Sequence, residues 1–251
     1  MSAKQYCEKI ADVLSRIEIN QRKQIEDAAE RMAVAIAAER RVYIFGSGHS
    51  VIPVLDIFPR YGSFVGFFPL YDPRLMWFNV VGPGGARELL WLERTEGYAR
   101  VFLQSYPLER GDCILVFSHG GLNAAPVDVA MEAKAKGLTV ITVSSLANRQ
   151  LATTTHSTGK QLPDIADIAI DNCVPPEDAL VDVGWKENVA AGSTMAAVFI
   201  SMALIAEVAA RLQKRGIHPP TFVSPNVPGI EKDHNPKVFE AFTDKLFSRR
   251  P

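Results

Sequence analysis

Five short, mainly apolar runs stand out in the pattern of hydrophobic and polar positions, and longer stretches with helical spacing separate them. A parallel strand that is covered on both faces is apolar at nearly every position, so each run predicts a buried strand. The runs are 41–45, 64–69, 112–117, 138–143 and 165–171. We therefore predict an α/β fold, a three-layer αβα sandwich whose middle layer is a five-stranded parallel sheet.

The first forty residues predict a helical arm in front of the sheet. Apolar positions recur with helical spacing over 10–17 and again over 25–36. Asn20 lies between the two stretches and is a favourable N-cap residue, so we predict a helical hairpin.

Further helices and an irregular segment complete the predicted organisation. The same periodicity predicts helices at 85–105, 123–136 and 190–215, the Pro-rich segment 218–236 predicts irregular backbone, and a last short helix is expected at 237–248. The chain then divides into an N-terminal arm (1–40), a sheet domain (41–216) and a C-terminal tail (217–251) that completes the site or an interface.

Composition narrows the classes of function. The 251 residues carry 27 basic and 28 acidic side chains, for a net charge of −1, which gives no electrostatic basis for binding nucleic acid or an anionic membrane. The N-terminus lacks an apolar signal core, and the most apolar stretch, 190–210, carries Glu207 and is typical of a buried helix. We expect a cytoplasmic protein without a transmembrane helix.

The cysteines and histidines predict neither a disulfide framework nor a metal site. Cys7, Cys113 and Cys173 are not in CxxC spacing, and the five histidines are far apart in the sequence. We expect no metal and no cofactor.

Three loops rich in Gly, Ser, His and Asn follow predicted strands, at 46–50, 118–123 and 144–145. Parallel sheets bind ligands at the carboxyl ends of their strands, where glycines admit a ligand close to backbone N–H groups and hydroxyls add donors. The first loop is neither a dinucleotide fingerprint, because position 51 is Val, nor a P-loop, and no GxSxG elbow is present. Together the loops predict a cradle for a phosphate and a polyol, whereas each loop alone is also consistent with a plain strand-to-helix turn.

Segments 42–50, 114–123 and 139–145 resemble the three signature segments of the sugar isomerase (SIS) family, which includes phosphoheptose isomerase. Gly192-Ser193-Thr194 resembles the start of that family's C-terminal helix. Nearly the whole chain is similar to a bacterial subfamily that is labelled as phosphosugar isomerases. That likeness is carried by LERTEGYA (92–99), THSTGKQL (155–162), ADIAIDNCVPPEDAL (166–180) and SPNVPGIEKDHN (224–235).

The resemblance implies a small-molecule sugar phosphate as ligand. It places the phosphate on Ser47, Ser118, Asn123, Ser145 and the amides of Gly48 and Gly121, and the sugar on Ser193 and Thr194. The full set of predicted ligand-binding positions is Gly46, Ser47, Gly48, His49, Ser50, Ser118, His119, Gly121, Asn123, Ser144, Ser145, Ser193 and Thr194.

The second loop departs from the family pattern Ser-x-Ser-Gly-x-Thr. Gly120 stands in place of the second Ser and Asn123 in place of the Thr, so one hydroxyl donor is lost. Losing a hydrogen bond to a charged group costs about 1.5–3 kcal/mol. Three explanations stay open: His119 substitutes for the hydroxyl, phosphate binds more weakly, or the ligand differs.

Isomerisation of a sugar phosphate requires a base, and an acid often assists. Glu93 lies in LERTEGYA, where some lyases of the family carry an acid/base glutamate, and His234 resembles a late histidine that reaches a site of the partner subunit. We predict these two as the catalytic residues. Of the other candidates, Glu88 and Glu96 fit a solvated helix face, His49 would position the ligand, His156 fits a ligand or interface role, and His218 is structural.

The predicted function is aldose–ketose isomerisation of a sugar phosphate. Two alternatives remain open, a lyase or deaminase on the same ligand class and a non-catalytic phosphosugar sensor. The aromatic run 64–78 is expected in the core or at a subunit interface, and the resemblance implies a homo-oligomer, either a dimer or a dimer of dimers.

Overall fold

The computed structural model describes residues 2–248, so the last three residues of the predicted tail lie outside the described chain. Within that range the helices are α1 (Ser2–Asn20), α2 (Arg22–Ala37), α3 (Val51–Ile57), α4 (Ala86–Leu92), α5 (Tyr98–Phe102), α6 (Ala124–Ala135), α7 (Leu146–Leu151), α8 (Leu162–Ile165), α9 (Ser193–Lys214) and α10 (His234–Phe247). The strands are β1 (Val42–Gly46), β2 (Phe67–Pro69), β3 (Cys113–Phe117), β4 (Thr139–Ser144), β5 (Ile168–Asp171), β6 (Ala179–Val181) and β7 (Val189–Ala191).

The first five strands form one parallel sheet in the order β2-β1-β3-β4-β5, which confirms the predicted α/β fold and its five-stranded sheet. The strand order reverses direction between β1 and β3, so the loops that follow these two strands leave the sheet at its topological switch point. Gly46 and Phe117 are opposite each other at the ends of β1 and β3. Ser47 and Ser118 therefore emerge side by side.

Each face of the sheet is covered by its own hydrophobic core. Val42 and Ile44 face the core that α2 and α9 complete, whereas Tyr43 and Phe45 face the core that α5 and α6 complete. Among the described residues, α9 is the helix whose length and apolar composition would allow it to cross a membrane. Its buried side chains, including Ile200 and Leu204, belong to the core of the sheet.

The two predicted N-terminal helices are present, but a bend at Gln21 joins them, not a turn capped by Asn20. The backbone N–H of Gln21 donates to Ile17 O at 2.9 Å, and its carbonyl accepts from Ile25 N at 2.9 Å. The Gln21 side chain is used elsewhere, because its Oε1 accepts from the N–H of Asp171 at the end of β5 at 3.0 Å. A long-range bond to the sheet thus sets the position of the bend.

The helix predicted over 85–105 is interrupted after Leu92. Gly97 has a φ of 83°, a left-handed conformation that ends the turn and begins α5. The predicted helix 190–215 likewise begins later, at Ser193, because 189–191 is a strand of a small antiparallel β6–β7 ribbon. The aromatic residues of 64–78 lie in different environments. Phe64, Phe67 and Phe68 are buried, whereas Phe78 is exposed.

Candidate functional site

The first loop turns sharply at Gly46 and Gly48, which require glycine for different reasons. A Cβ on Gly46 would lie 2.0 Å from the carbonyl oxygen of Ser50, closer than any real contact. Gly48 has a φ of 59°, which favours glycine. Ser47 stands between them, is 9% exposed and directs its hydroxyl at the α4 helix terminus.

Glu93 caps the C-terminal end of α4 and is buried against the first loop. The Ser47 hydroxyl donates to Glu93 Oε2 at 2.8 Å, and Glu93 is 6% exposed. Burial raises the pKa of the Glu93 carboxyl above its ordinary value, and the hydrogen bond from Ser47 opposes part of that shift. A carboxylate in this setting is a stronger base than one in water, as general base catalysis requires.

A cavity of about 290 Å³ connects Glu93 to both strand-end loops. Its polar wall combines the loop after β1 with the loop after β3, and its apolar wall comes from Trp77 and α4. The side chain of His49 packs edge-on against Trp77, with ring centroids 4.6 Å apart. The lining residues are Ser47, Gly48, His49, Ser50, Trp77, Ala86, Leu89, Leu90, Glu93, Ser118, His119, Gly120 and Asn123.

Hydrogen bonds to its backbone carbonyl groups hold the second loop in place. Four successive carbonyls accept hydrogen bonds from neighbouring segments: His119 O from Ser145 N, Gly120 O from Asn148 Nδ2, Gly121 O from Leu162 N, and Leu122 O from Thr155 Oγ1. Because N–H and C=O of one peptide unit point in opposite directions, the loop N–H groups point away from those segments.

The N–H groups of this loop are available to a ligand. The N–H of Gly121 donates to Ser118 Oγ at 3.2 Å, whereas those of Gly120, Leu122 and Asn123 make no hydrogen bond to any residue between 2 and 248. Free N–H groups close to the positive end of a helix, here α6, favour an anion.

His119 is held in one tautomer by Asn172, a residue that the sequence reasoning missed. The backbone N–H of Val174 donates to Asn172 Oδ1 at 3.0 Å, so the Asn172 amide nitrogen faces His119 Nδ1 at 3.1 Å. An amide nitrogen only donates, so Nδ1 accepts and the ring proton lies on Nε2. His119 Nε2 lies 3.4 Å from the carbonyl oxygen of Pro176. Because this hydrogen bond is long, the Nε2–H group can donate to a stronger acceptor instead.

Two serines at the end of β4 are buried and do not line the cavity. The Ser145 hydroxyl donates to Val174 O at 2.7 Å and accepts from Asn148 N at 3.1 Å, which caps α7. Ser144 is 1% exposed, and its hydroxyl has no partner within residues 2–248. Ser145 contributes to the site through Asn148, because α7 carries the amide that holds Gly120.

Ser193 and Thr194 lie beside the cavity in a narrow cleft that they share with His49, Ser118 and His119. The Ser193 hydroxyl donates to Asp178 Oδ2 at 2.8 Å. The structure thus brings together most of the predicted ligand-binding positions, but this hydroxyl is already engaged.

The remaining candidates lie outside the cavity. His234 begins α10, where its Nε2 contacts Thr221 O at 2.8 Å. Glu88 accepts from the N–H of Gly84, and Glu96 accepts from Ser157. His218 is exposed near the C-terminal helix. Among residues 2–248, no group of three or more His, Cys, Asp or Glu side chains is arranged to hold a metal ion.

Three comparisons with known proteins bear on this site. A family model described as SIS domain matches residues 5–145. A UPF0309 protein of Oceanobacillus iheyensis is 33% identical over 244 residues, which cover 97% of this chain and 97% of that protein. A UPF0309 protein of Streptomyces coelicolor is 34% identical and covers 99% of this chain and 98% of its own.

Solved structures show the same fold at low identity. A phosphoheptose isomerase from Francisella tularensis superposes with a TM-score of 0.52 and 14% identity over 83% of this chain and 96% of its own. That likeness extends to the arrangement of sheet and helices.

Proposed function

This chain belongs to the SIS domain family and, within it, to the UPF0309 proteins, and on that premise we propose that it binds a sugar phosphate in the cavity beside Glu93 and isomerises it between aldose and ketose forms. The observation that carries the proposal is the buried Glu93 carboxylate, which faces the same cavity as the free N–H groups of the second loop.

The second loop suits the phosphate. Gly120 and Asn123, whose backbone N–H groups are unbonded in the described part of the chain, line the cavity next to the start of α6. Such donors bind a phosphate without a basic side chain, which agrees with a chain of net charge −1. Their positions are set before a ligand arrives, because the opposite side of each peptide is already bonded.

Glu93 suits the proton transfer. In an aldose–ketose conversion a base removes the proton from the carbon next to the carbonyl, and the resulting enediol regains a proton at the neighbouring carbon, so no atom is gained or lost. A single carboxylate can carry that proton between the two carbons. The raised pKa of Glu93 increases its affinity for the proton that it must take up.

The proposal includes a homo-oligomer. Ile52 and Leu55 on α3 are 39% and 47% exposed, and Met195 on the adjoining α9 is 48% exposed, so apolar side chains face solvent on helices that border the site. Exposed apolar clusters of this kind suit a subunit contact. His234 enters the proposal only in such an assembly, because it lines neither part of the site in its own chain.

Calorimetric titration tests the binding step. Aldose and ketose phosphates of five to seven carbons, with inorganic phosphate and the free sugars as references, are titrated into the wild type and into Glu93→Gln. We expect a sugar phosphate to bind both proteins, since the substitution leaves the loop donors in place. Failure of every sugar phosphate to bind the wild type would refute the proposal.

A further inference from the structure

Asp128 and His156 form a buried pair that the proposed chemistry does not use. The His156 side chain is 4% exposed and that of Asp128 is 7% exposed, and His156 Nε2 lies 3.2 Å from Asp128 Oδ1. Asp128 is on α6, whereas His156 is in the segment between α7 and α8. A buried carboxylate is destabilising unless its oxygens are paired, and His156 is the partner of Asp128 Oδ1.

The hydrogen bonds around the pair give its protonation pattern. The backbone N–H of Thr158 donates to His156 Nδ1 at 3.2 Å, which places the ring proton on Nε2 and directs it at Asp128. Glu96 faces the same ring nitrogen at 3.8 Å and also accepts from the N–H of Ser157 at 2.7 Å. The segment around His156 is therefore attached both to α6 and to the turn that follows Glu93.

Hydrogen bonds from both ends of the turn 93–97 to α6 connect the Asp128–His156 pair to Glu93. The N–H of Ala125 donates to Glu93 O at 2.9 Å, and Asp128, one helical turn later, accepts from the N–H of Gly97 at 2.6 Å. The turn 93–97 is thus bonded to the same helix at both ends. The N-terminal end of α6 also carries the second loop, so one element sets the distance between the carboxylate and the proposed phosphate position.

We propose that Asp128 and His156 are positioning residues that hold the turn 93–97 against α6 and so keep the Glu93 carboxylate buried at the cavity wall. The inference rests on the proposed function only in assigning Glu93 a catalytic task. The positioning itself is a property of the protein without ligand.

Carboxyl ¹³C NMR of glutamate-labelled protein tests the proposal, with the Glu93 signal assigned from its loss in Glu93→Gln. In His156→Ala the turn 93–97 loses the pair that holds it against α6, so the Glu93 carboxylate becomes less buried. Its titration midpoint should then fall towards the ordinary value of about 4.3. The Gly97 amide should at the same time exchange faster with deuterium. His218→Ala removes an exposed histidine from another part of the chain. It should change neither the titration midpoint of Glu93 nor the exchange rate of the Gly97 amide.

A purely structural role predicts a different result. In that case His156→Ala would lower the melting temperature with the Glu93 midpoint unchanged, and the proposal would be overturned. If His156→Ala does not fold, His156→Gln, which keeps a donor near Asp128, is measured instead and should show a smaller shift in the same direction. Absence of sugar phosphate binding would refute the proposed function but not the positioning, which the midpoints decide.

Discussion

The Ser47 hydroxyl donates a 2.8 Å hydrogen bond to Glu93 Oε2, and this contact joins the loop after β1 to the end of α4. It closes the cavity on the side of the switch point, where Ser47 leaves the sheet next to Ser118. Both groups are buried, so burial raises the pKa of the Glu93 carboxyl while the hydrogen bond from Ser47 opposes part of that shift.

Ionisation of Glu93 at neutral pH lowers the stability of the folded protein relative to the form with Glu93 protonated. Because its pKa is raised on folding, its favourable contribution is complete below the unfolded-state value and is lost as the pH rises through the folded-state value. Glu93→Gln should therefore melt at a higher temperature than the wild type at about pH 7, and the difference should shrink at about pH 4. A melting-temperature difference that grows as the pH falls would contradict the raised pKa.

Gly46 is required by the backbone geometry of the first loop. A methyl group at Gly46 would collide with the Ser50 carbonyl, so Gly46→Ala should destabilise the protein by about 3 kcal/mol or more, measured by urea unfolding. Gly120→Ala is the matched control, because its Cβ would have its nearest neighbour, Asn148 Nδ2, at an ordinary 3.6 Å. The control should change the free energy of unfolding by about 0.5 kcal/mol or less. Equal effects of the two substitutions would show that the loop is not tightly folded.

Gly120 also allows a test of the missing hydroxyl. Gly120→Ser restores a donor where the family pattern has serine, and the space at its Cβ accepts the side chain. If the donor reaches the phosphate, affinity for the best sugar phosphate should rise about tenfold, the lower bound for one hydrogen bond to a charged group. No gain in calorimetric affinity would contradict a weakened phosphate site and leave the other two explanations, that His119 substitutes for the hydroxyl or that the ligand differs.

The tautomer of His119 should follow residue 172. In Asn172→Asp an acceptor replaces the amide donor, so the ring proton should move from Nε2 to Nδ1. At about pH 9, above the ordinary range of histidine, ¹⁵N NMR should report Nε2–H in the wild type and Nδ1–H in the variant. The variant should also bind inorganic phosphate more weakly than Asn188→Asp, which makes the same charge change at an exposed position. An Nδ1–H ring in the wild type would overturn the assignment.

The sheet and the loops of the site could be predicted because each depends on local sequence. A strand that is covered on both faces is apolar at nearly every position, and a loop that approaches a ligand needs glycine and short polar residues. The loops at Ser47 and Ser118 were therefore predicted from local sequence, whereas Glu93 was singled out by the family resemblance and its catalytic role stays a prediction.

The supporting residues could not be predicted, because their partners are distant in the sequence. His119 and Asn172 are 53 residues apart, and Asp128 and His156 are 28 apart. No local pattern marks an asparagine that orients a histidine. The bend at Gln21 was missed for the same reason, since its side chain is bonded to Asp171, 150 residues away.

Solvent deuterium incorporation tests the central claim most directly. The wild type, incubated in D₂O with the sugar phosphate that binds best, should place deuterium on the carbon next to the carbonyl as it interconverts the two sugars. Glu93→Gln should bind the same ligand and exchange at least about 100-fold more slowly, the effect of losing a general base. A wild type that binds the ligand without exchange, or a Glu93→Gln variant that exchanges at the wild-type rate, would contradict Glu93 as the base of a sugar-phosphate isomerase.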